Sequence, residues 1–254
     1  MDRDYDSRKI KGVFFDLYGT IFIYGDMDAA WAAWFDATYE GLKARGLEAD
    51  VDTLDDECEG FFSRDFQPGP TQKSMTVYEA RMESLCRRVG LKLKRAEITA
   101  VAEAGLAAWH RYLHFDEKIF GVLKALKGQK ALALISNFDH PPHIDKLMED
   151  YALGRFFEQV IVSSAVGVWK PDPGIFKLAL EKTGLKPGEV MYVGDSEKDD
   201  VAGARAAGMY PLLIRRGNQP VRLDYTRRMP QPEARQAAQP LAVISELTGI
   251  FKYL

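Results

Sequence analysis

Short apolar runs alternate with longer, more polar segments in the first and last parts of the chain. The first run covers residues 12–17, where three apolar side chains follow Gly12 and Asp16 interrupts the pattern. Such an unbroken run is typical of a strand buried on both faces of a parallel sheet. Five similar runs occur at residues 131–135, 160–162, 190–193, 211–214 and 241–244. Segments long enough for a crossover helix separate most of them, which predicts an α/β fold with a doubly wound parallel sheet.

A different pattern fills residues 24–114, between the first two predicted strands. Strand-like runs are absent there, and apolar positions recur at helical spacing. The stripe is clearest at Trp31, Trp34, Phe35, Thr38 and Leu42, and is partly kept at Glu79, Met82, Leu85, Arg88 and Val89. We predict an α/β core domain of residues 1–23 and 115–254, with an all-helical domain of residues 24–114 inserted after the first strand. The tryptophans are expected to pack between helices rather than to bind a ligand.

Three segments are predicted to be breaks or connections. Residues 67–70, which contain two prolines and a glycine, and the Phe115-Asp116 pair would serve as breaks or hinges. Residues 217–240 carry four prolines and four arginines, which indicates a long polar connection before the last strand.

Composition narrows the choice of partners and compartment. The 254 residues include 46% hydrophobic and 28% charged side chains, as in an ordinary globular protein. A net charge of −3 provides no basic excess for a phosphate backbone, so we expect no nucleic-acid partner.

The two cysteines bear on the compartment. They lack CxxC spacing, which argues against disulfides and a zinc site and suits a reducing cytoplasm. The polar start and the lack of a long apolar run predict neither a signal peptide nor a membrane span. Apolar surface on the insert could serve a homodimer.

Polar side chains follow the predicted strands at the points where the strands end. Asp16 closes the first strand, and the Gly19-Thr20 turn after it could direct backbone N–H groups toward an anion. Ser136 closes the second strand, and Asn137 follows it. Parallel strands end at one edge of the sheet, where open α/β sheets bind ligands. Taken singly, each of these residues is also explained by turn chemistry.

Two further motifs follow along the chain. Lys170 precedes a proline-fixed helix start within residues 167–176, and Asp195, Asp199 and Asp200 lie just after the fourth strand. A lone lysine or an acidic run would ordinarily be a solvated helix start. A carboxylate buried at a strand end, in contrast, needs a cationic partner or a metal. The order of the four motifs is therefore more specific than any one of them.

This ordered set resembles the haloacid dehalogenase (HAD) superfamily. The resemblance covers about residues 10–23 and 115–216, and it rests on FFDLYGT, LISN, KPDPGIF and VGDSEKDD. It implies a Rossmann-like, three-layer α/β domain that hydrolyses its substrate through a covalent aspartyl intermediate. The helical insert stands where this family carries a mobile cap domain, which would exclude water and select the substrate.

The resemblance also implies a role for each motif residue. Asp16 is the implied nucleophile, and Ser136 would hydrogen-bond a substrate oxygen. Lys170 would neutralise charge on the nucleophile and on the transferring group. The implied cofactor is Mg²⁺, which prefers hard oxygen ligands. Its ligands would be Asp16, the Tyr18 carbonyl, Asp195 and Asp200, with Asp199 as the alternative last acid. The remaining residues expected at the substrate site are Tyr18, Thr20 and Asn137.

Tyr18 departs from the pattern of the family's phosphatases. They usually carry DxDGT, in which the second acid protonates the leaving group, and its loss typically costs about 10²- to 10⁴-fold in rate. Asp139 and His140 are candidate substitutes, although a turn and a helix start explain them equally. DxYGT is instead the motif of the family's 2-haloacid dehalogenases, whose halide leaving group needs neither an acid nor a metal.

Three other departures count against dehalogenation. Asp195 stands where those enzymes have serine, Phe176 stands where they have tyrosine, and the first helix of the insert lacks their halide-binding arginine. An acidic cluster without a cation would also repel Asp16 and an anionic substrate. We therefore expect a Mg²⁺-dependent phosphatase acting on a small phosphorylated metabolite. The alternatives are a metal-independent 2-haloacid dehalogenase and a degenerate, non-catalytic binder.

Overall fold

The computed structural model describes residues 5–62, 66, 69, 72, 74–217 and 238–254. This part of the chain contains eight strands and nine α-helices. The strands are β1 Gly12–Phe15, β2 Phe22–Tyr24, β3 Leu113–Phe115, β4 Ala131–Ser136, β5 Gln159–Val162, β6 Val190–Gly194, β7 Tyr210–Ile214 and β8 Ala242–Ile244. The helices are α1 Met27–Lys43, α2 Val51–Cys58, α3 Val77–Arg88, α4 Arg95–His110, α5 Lys118–Leu126, α6 Pro141–Asp150, α7 Ser163–Val166, α8 Pro173–Thr183 and α9 Ala202–Ala206.

Six strands form one sheet in the order β5-β4-β1-β6-β7-β8, and every neighbouring pair is parallel. All six coincide with the apolar runs, so the predicted doubly wound α/β fold is confirmed. β1 lies between β4 and β6, and the strand order reverses across it. In such sheets the crevice at the carboxyl ends of the strands beside this switch point is the usual ligand site.

Each face of the sheet buries alternate side chains of its strands. On one face Phe14 joins a core cluster with Ile175, Phe176 and Ala179 of α8. On the other face the ring of Phe15 lies 6.3 Å from that of Phe157. Because β1 is covered on both faces, its apolar residues are fully buried and the strand shows no alternation of apolar and polar positions.

The chain divides into two compact units, with breaks between Ile23 and Tyr24 and between Leu113 and His114. One unit holds the six-stranded sheet and the other holds α1–α4. Strands β2 and β3, where the chain passes between the units, pair with each other in a two-stranded ribbon. The expectation that strands are absent from residues 24–114 is therefore wrong at both ends of that segment. These strands have three residues each and are defined by pairing between distant segments, which a local pattern does not reveal.

The helical unit is organised around the pairing of α1 with α4. Trp34 and Thr38 on α1 are fully buried, and Gly105 on α4 lies so close that an added Cβ would stand 3.0 Å from both side chains. The indole Nε1 of Trp34 donates a hydrogen bond of 2.6 Å to the hydroxyl of Tyr78 on α3. These contacts agree with the predicted packing role of the tryptophan stripe.

Parts of two predicted connections lie outside the described residues. Of residues 67–70 only Gly69 is described, and of residues 217–240 only Gly217 and residues 238–240 are. Among the helices of the described segments, none combines the length and the apolar character needed to cross a bilayer.

Candidate active site

Asp16 follows β1 directly and lies at the carboxyl edge of the sheet, with only 5% of its surface exposed. The next residues form a tight turn, in which the N–H groups of Ile21 and Phe22 both donate to the carbonyl of Leu17. Gly19 adopts a φ of 88°, a left-handed conformation that favours glycine. Its N–H donates to the carbonyl of Phe22 at 2.7 Å. The Gly19 N–H is therefore engaged within the turn, and for the other N–H groups of the turn the expected approach of an anion stays a prediction.

Lys170 connects the nucleophile candidate to the acidic cluster. Its ammonium Nζ lies 2.5 Å from Asp16 Oδ1 and 2.7 Å from Asp200 Oδ1. It also lies 3.2 Å from the hydroxyl oxygen of Tyr192 on β6. A lysine ammonium has three N–H donors, so these three oxygens account for all of them. The side chain is 3% exposed, and its position is therefore set by protein groups on every side.

The side-chain amide of Asn137 forms two hydrogen bonds with the backbone of Lys170. Its amide nitrogen donates to the Lys170 carbonyl at 2.9 Å, and its amide oxygen accepts from the Lys170 N–H at 2.8 Å. Both ends of the side-chain amide are therefore engaged with Lys170. The expected contact of Asn137 with substrate stays a prediction.

The last acid of the cluster, Asp200, lies on the π-helical turn Glu197–Val201 that precedes α9. Asp200 is 1% exposed and its Oδ2 accepts a hydrogen bond of 2.9 Å from the Ser196 N–H. Gly194 allows this approach, since an added Cβ would lie 2.3 Å from Asp200 Cγ. Asp16, Asp195 and Asp200 each offer one oxygen within 4.8 Å of the others. Of the two alternatives for the last acid, the geometry brings Asp200 rather than Asp199 into this group.

The charges in this cluster explain the direction of its pKa shifts. Burial raises the pKa of Asp16 to about 6, and the carboxylate of Asp200 adds to this effect, while Lys170 opposes it. Burial alone would lower the pKa of Lys170, but Asp16 and Asp200 raise it above its ordinary value. The pKa of Tyr192 is raised by burial and by Asp200, so its hydroxyl stays protonated. Three carboxylates thus cluster with one lysine ammonium, and the excess negative charge favours binding of a divalent cation.

The cluster suits Mg²⁺ by its donor chemistry. Carboxylate oxygens are the hard ligands that Mg²⁺ prefers, and Asp195 is partly exposed, which leaves access for water ligands. Asp195 also borders the turn after Asp16, because a Cβ on Gly19 would lie 2.2 Å from its Oδ2.

Ser136 ends β4 beside β1, and it is 1% exposed. Its hydroxyl oxygen is buried and has no hydrogen-bond partner among the described residues. An unsatisfied buried hydroxyl is costly, so its retention at this edge of the sheet points to a ligand.

Tyr18 and Thr20 lie on either side of Gly19. The Thr20 hydroxyl donates to Asp16 Oδ2 at 3.3 Å, so the two carboxylate oxygens have different partners, Thr20 on one and Lys170 on the other. The ring of Tyr18 packs 5.1 Å from that of Phe138 and is 7% exposed.

Two residues of this region, Tyr192 and Arg216, are not predicted by the sequence motifs. Tyr192 looks like an ordinary core position in an apolar strand, and only its hydroxyl reaches the charges. Arg216 stands at the start of an arginine-rich segment that reads as solvent-exposed, yet its side chain is 13% exposed. The pattern gave no signal for either, because both depend on contacts between distant segments.

Comparison with curated proteins gives partial matches. The chain is 36% identical over 120 residues to the phosphoserine phosphatase of Thermus thermophilus, covering 47% of this chain and 48% of that protein. It is 48% identical over 63 residues to the glyceraldehyde 3-phosphate phosphatase of Methanopyrus kandleri, covering 25% and 27%. The aligned region spans about half or less of the length of these relatives.

Solved structures match over nearly the whole chain. A 2-haloacid dehalogenase from Pseudomonas syringae aligns with a TM-score of 0.65 and 20% identity, covering 96% of this chain and 97% of the other. A HAD phosphatase from Thermococcus onnurineus aligns with a TM-score of 0.62 and 22% identity, covering 96% and 97%. At these identities the matches establish the fold. The family model for haloacid dehalogenase-like hydrolases matches residues 10–208, well over half of the chain, and the protein therefore belongs to this family.

Proposed function

We propose that this hydrolase is a Mg²⁺-dependent phosphatase that acts on a small phosphorylated metabolite through an aspartyl-phosphate on Asp16. The observation that carries the proposal is the approach of Asp195 to Asp16 and Asp200, since three clustered carboxylates call for a cation. Both curated relatives described above are named as phosphatases, which supports the same reaction class.

In the first step, an oxygen of the Asp16 carboxylate attacks phosphorus, and the bond from phosphorus to the leaving oxygen breaks. Lys170 and Thr20 hold the two carboxylate oxygens, so the nucleophile is oriented before substrate binds. Ser136 donates its otherwise unused hydroxyl to a phosphoryl oxygen. In the second step, water attacks phosphorus and the bond to Asp16 breaks, which releases inorganic phosphate and restores the carboxylate.

Mg²⁺ bound by Asp16, Asp195 and Asp200, together with the Tyr18 carbonyl, would neutralise charge on the transferring phosphoryl group. Lys170 adds a fixed positive charge at the same place. Asn137 acts through Lys170 by holding its backbone. The helical unit stands in the sequence where the family carries its cap, and we assign it the choice of substrate.

Tyr18 determines which leaving groups should react well. It occupies the place of the usual acid, and a phenol is a much weaker acid than the carboxylic acid that it replaces, so it is a poor proton donor near neutral pH. Acyl and aryl phosphates, whose leaving groups need little protonation, should therefore be hydrolysed faster than alkyl phosphates.

Phosphate release across acyl, aryl and alkyl phosphates, with Mg²⁺ and again with EDTA, tests this function. We expect release that requires the metal, favours acyl and aryl phosphates and falls to background in Asp16→Asn. Asp145→Asn, at an exposed position on α6, is the matched control and should behave as wild type. Release that survives Asp16→Asn or EDTA would contradict the mechanism.

The presence of tyrosine at position 18 also favours a second candidate, 2-haloacid dehalogenation, because a halide leaves without an acid. Chloride release from a 2-chloro acid in the presence of EDTA would support that activity and contradict the phosphatase. The same residue is compatible with a binder that no longer turns over. In that case Tyr18→Asp should confer phosphatase activity on an inactive wild type, whereas an active wild type excludes the binder.

A further inference from the structure

Arg216 holds the turn that follows the nucleophile. It stands two residues beyond β7, and its guanidinium donates to two successive carbonyls of that turn, from Nη1 to the Gly19 oxygen at 3.0 Å and from Nη2 to the Thr20 oxygen at 2.8 Å. The same Nη2 lies 2.7 Å from Asp116 Oδ2. The two side chains of this ion pair are 13% and 10% exposed, so solvent screens it little.

The two residues whose carbonyls Arg216 holds are those that border the reacting carboxylates. Thr20 donates its hydroxyl to Asp16 Oδ2 at 3.3 Å. Gly19 lies against Asp195, since a Cβ there would stand 2.2 Å from Oδ2 and 2.3 Å from Cγ of that carboxylate. A shift of this turn would therefore displace a hydrogen bond to the nucleophile and the surface that supports a metal-site acid.

A planar guanidinium fork is well suited to this task. It presents several donors in fixed geometry, so one side chain can hold two neighbouring carbonyls at a set spacing, which a lysine ammonium does less well. Asp116 accepts from the same nitrogen that holds Thr20, and this fixes the orientation of the fork.

We propose that Arg216 is a positioning residue that aligns the nucleophile Asp16 and the metal-site acid Asp195 through the Gly19-Thr20 turn. This inference rests on the proposed function for its effect on turnover. Its effect on the metal site does not depend on which substrate the protein hydrolyses.

The test compares Arg216→Ala with the adjacent Arg215→Ala. Arg215 is an exposed arginine that pairs with the exposed Glu197 at the start of the π-helical turn, and a solvated ion pair of this kind contributes little, so Arg215 is a control matched in type and position. Two quantities are measured: kcat and KM with an aryl phosphate in Mg²⁺, and the Kd of Mn²⁺ from the electron paramagnetic resonance signal of the free ion. Thermal unfolding sets a temperature at which each variant is folded.

We expect Arg216→Ala to lower kcat about 10- to 100-fold with little change in KM, because a misplaced carboxylate slows the chemical step. Mn²⁺ binding should weaken by about 10-fold or more, as is usual when an outer support of a metal site is removed. Arg215→Ala should match wild type in both. Arg216→Lys should fall between wild type and Arg216→Ala, and it carries the test if the alanine variant does not fold.

Wild-type kcat and wild-type Mn²⁺ affinity in either folded Arg216 variant would overturn the proposal. So would an equal loss in Arg215→Ala, which would indicate a general effect of removing charge from this segment. If the wild-type protein hydrolyses no phosphate, the proposed function fails, and the Mn²⁺ affinities alone then decide whether Arg216 positions the acids.

Discussion

Lys170 provides the positive charge that contacts two carboxylates of the site. Its ammonium contacts Asp16, Asp200 and the Tyr192 hydroxyl, and removing any of these oxygens would leave an N–H donor unsatisfied. Tyr192 has a further contact, since its hydroxyl donates toward Asp200 Oδ1 at 3.1 Å. The Tyr192 hydroxyl thus links the Lys170 ammonium to the Asp200 carboxylate.

Tyr192→Phe should therefore lower kcat while leaving KM nearly unchanged. A hydrogen bond to a charged group is worth about 1.5–3 kcal/mol, which corresponds to a loss of roughly 10- to 100-fold in rate. Steady-state kinetics on an aryl phosphate measure both constants. Tyr39→Phe, at a partly exposed position on α1, is the control and should retain full activity. A normal kcat in Tyr192→Phe would show that its contacts with Lys170 and Asp200 do not matter for turnover.

The two cysteines are expected to be inert in the folded protein. Both are free and buried, and burial raises the pKa of the Cys58 thiol to about 12 and that of Cys86 to about 11. The thiolate is the reactive form, so at pH 8 both thiols are protonated and shielded. Titration with DTNB should label neither cysteine in the native protein and both in urea. Rapid native labelling of either would contradict the burial of α2 or α3 that we describe.

At the end of β6, the position of the Asp200 carboxylate depends on the absence of a side chain from the strand backbone. Gly194 is the last residue of that strand, and Asp200 on the following π-helical turn lies directly against it. Any side chain at position 194 would push the Asp200 carboxylate away from Lys170.

Gly194→Ala should consequently destabilise the fold by about 1–3 kcal/mol, the usual cost of overpacking, and should reduce activity strongly. Gly121→Ala is the matched control. It lies in α5, an added Cβ there meets no atom within 4 Å, and alanine should raise stability by about 0.5–1 kcal/mol. Urea unfolding measures the two free energies. Equal stability of wild type and Gly194→Ala would contradict the close contact with Asp200.

The elements differ in how far the sequence predicts them. The six sheet strands are predictable because β1 and its neighbours are buried on both faces and leave unbroken apolar runs. Strands β2 and β3 are not, since each has three residues and gains its pairing only from the other. The π-helical turn at Glu197–Val201 is also not predictable from the pattern, because a hydrogen bond that spans one residue more than in an α-helix changes neither composition nor polarity.

At the scale of the whole molecule, the sheet topology assembles the site. Asp16, Ser136 and the acids after Gly194 come from β1, β4 and β6, which are neighbours in the sheet although they lie far apart in the chain. The sequence predicts that these residues share one edge, since parallel strands end together. It does not predict which side chains contact each other. For that reason only the structure shows the hydrogen bonds between Asn137 and Lys170 and the contacts of Arg216 with the Gly19-Thr20 turn.

In the proposed mechanism, water attacks phosphorus, not the carbonyl carbon of Asp16, when the covalent intermediate breaks down. A single turnover in ¹⁸O-labelled water with enzyme in excess over an aryl phosphate, followed by mass spectrometry of the phosphate and of the peptide that contains Asp16, tests this step. The mechanism predicts one labelled oxygen in the released phosphate and an unlabelled Asp16. Label in the Asp16 carboxylate would contradict it, because water would then have attacked the carbonyl carbon of the acyl phosphate, which corresponds to the atom attacked in dehalogenation.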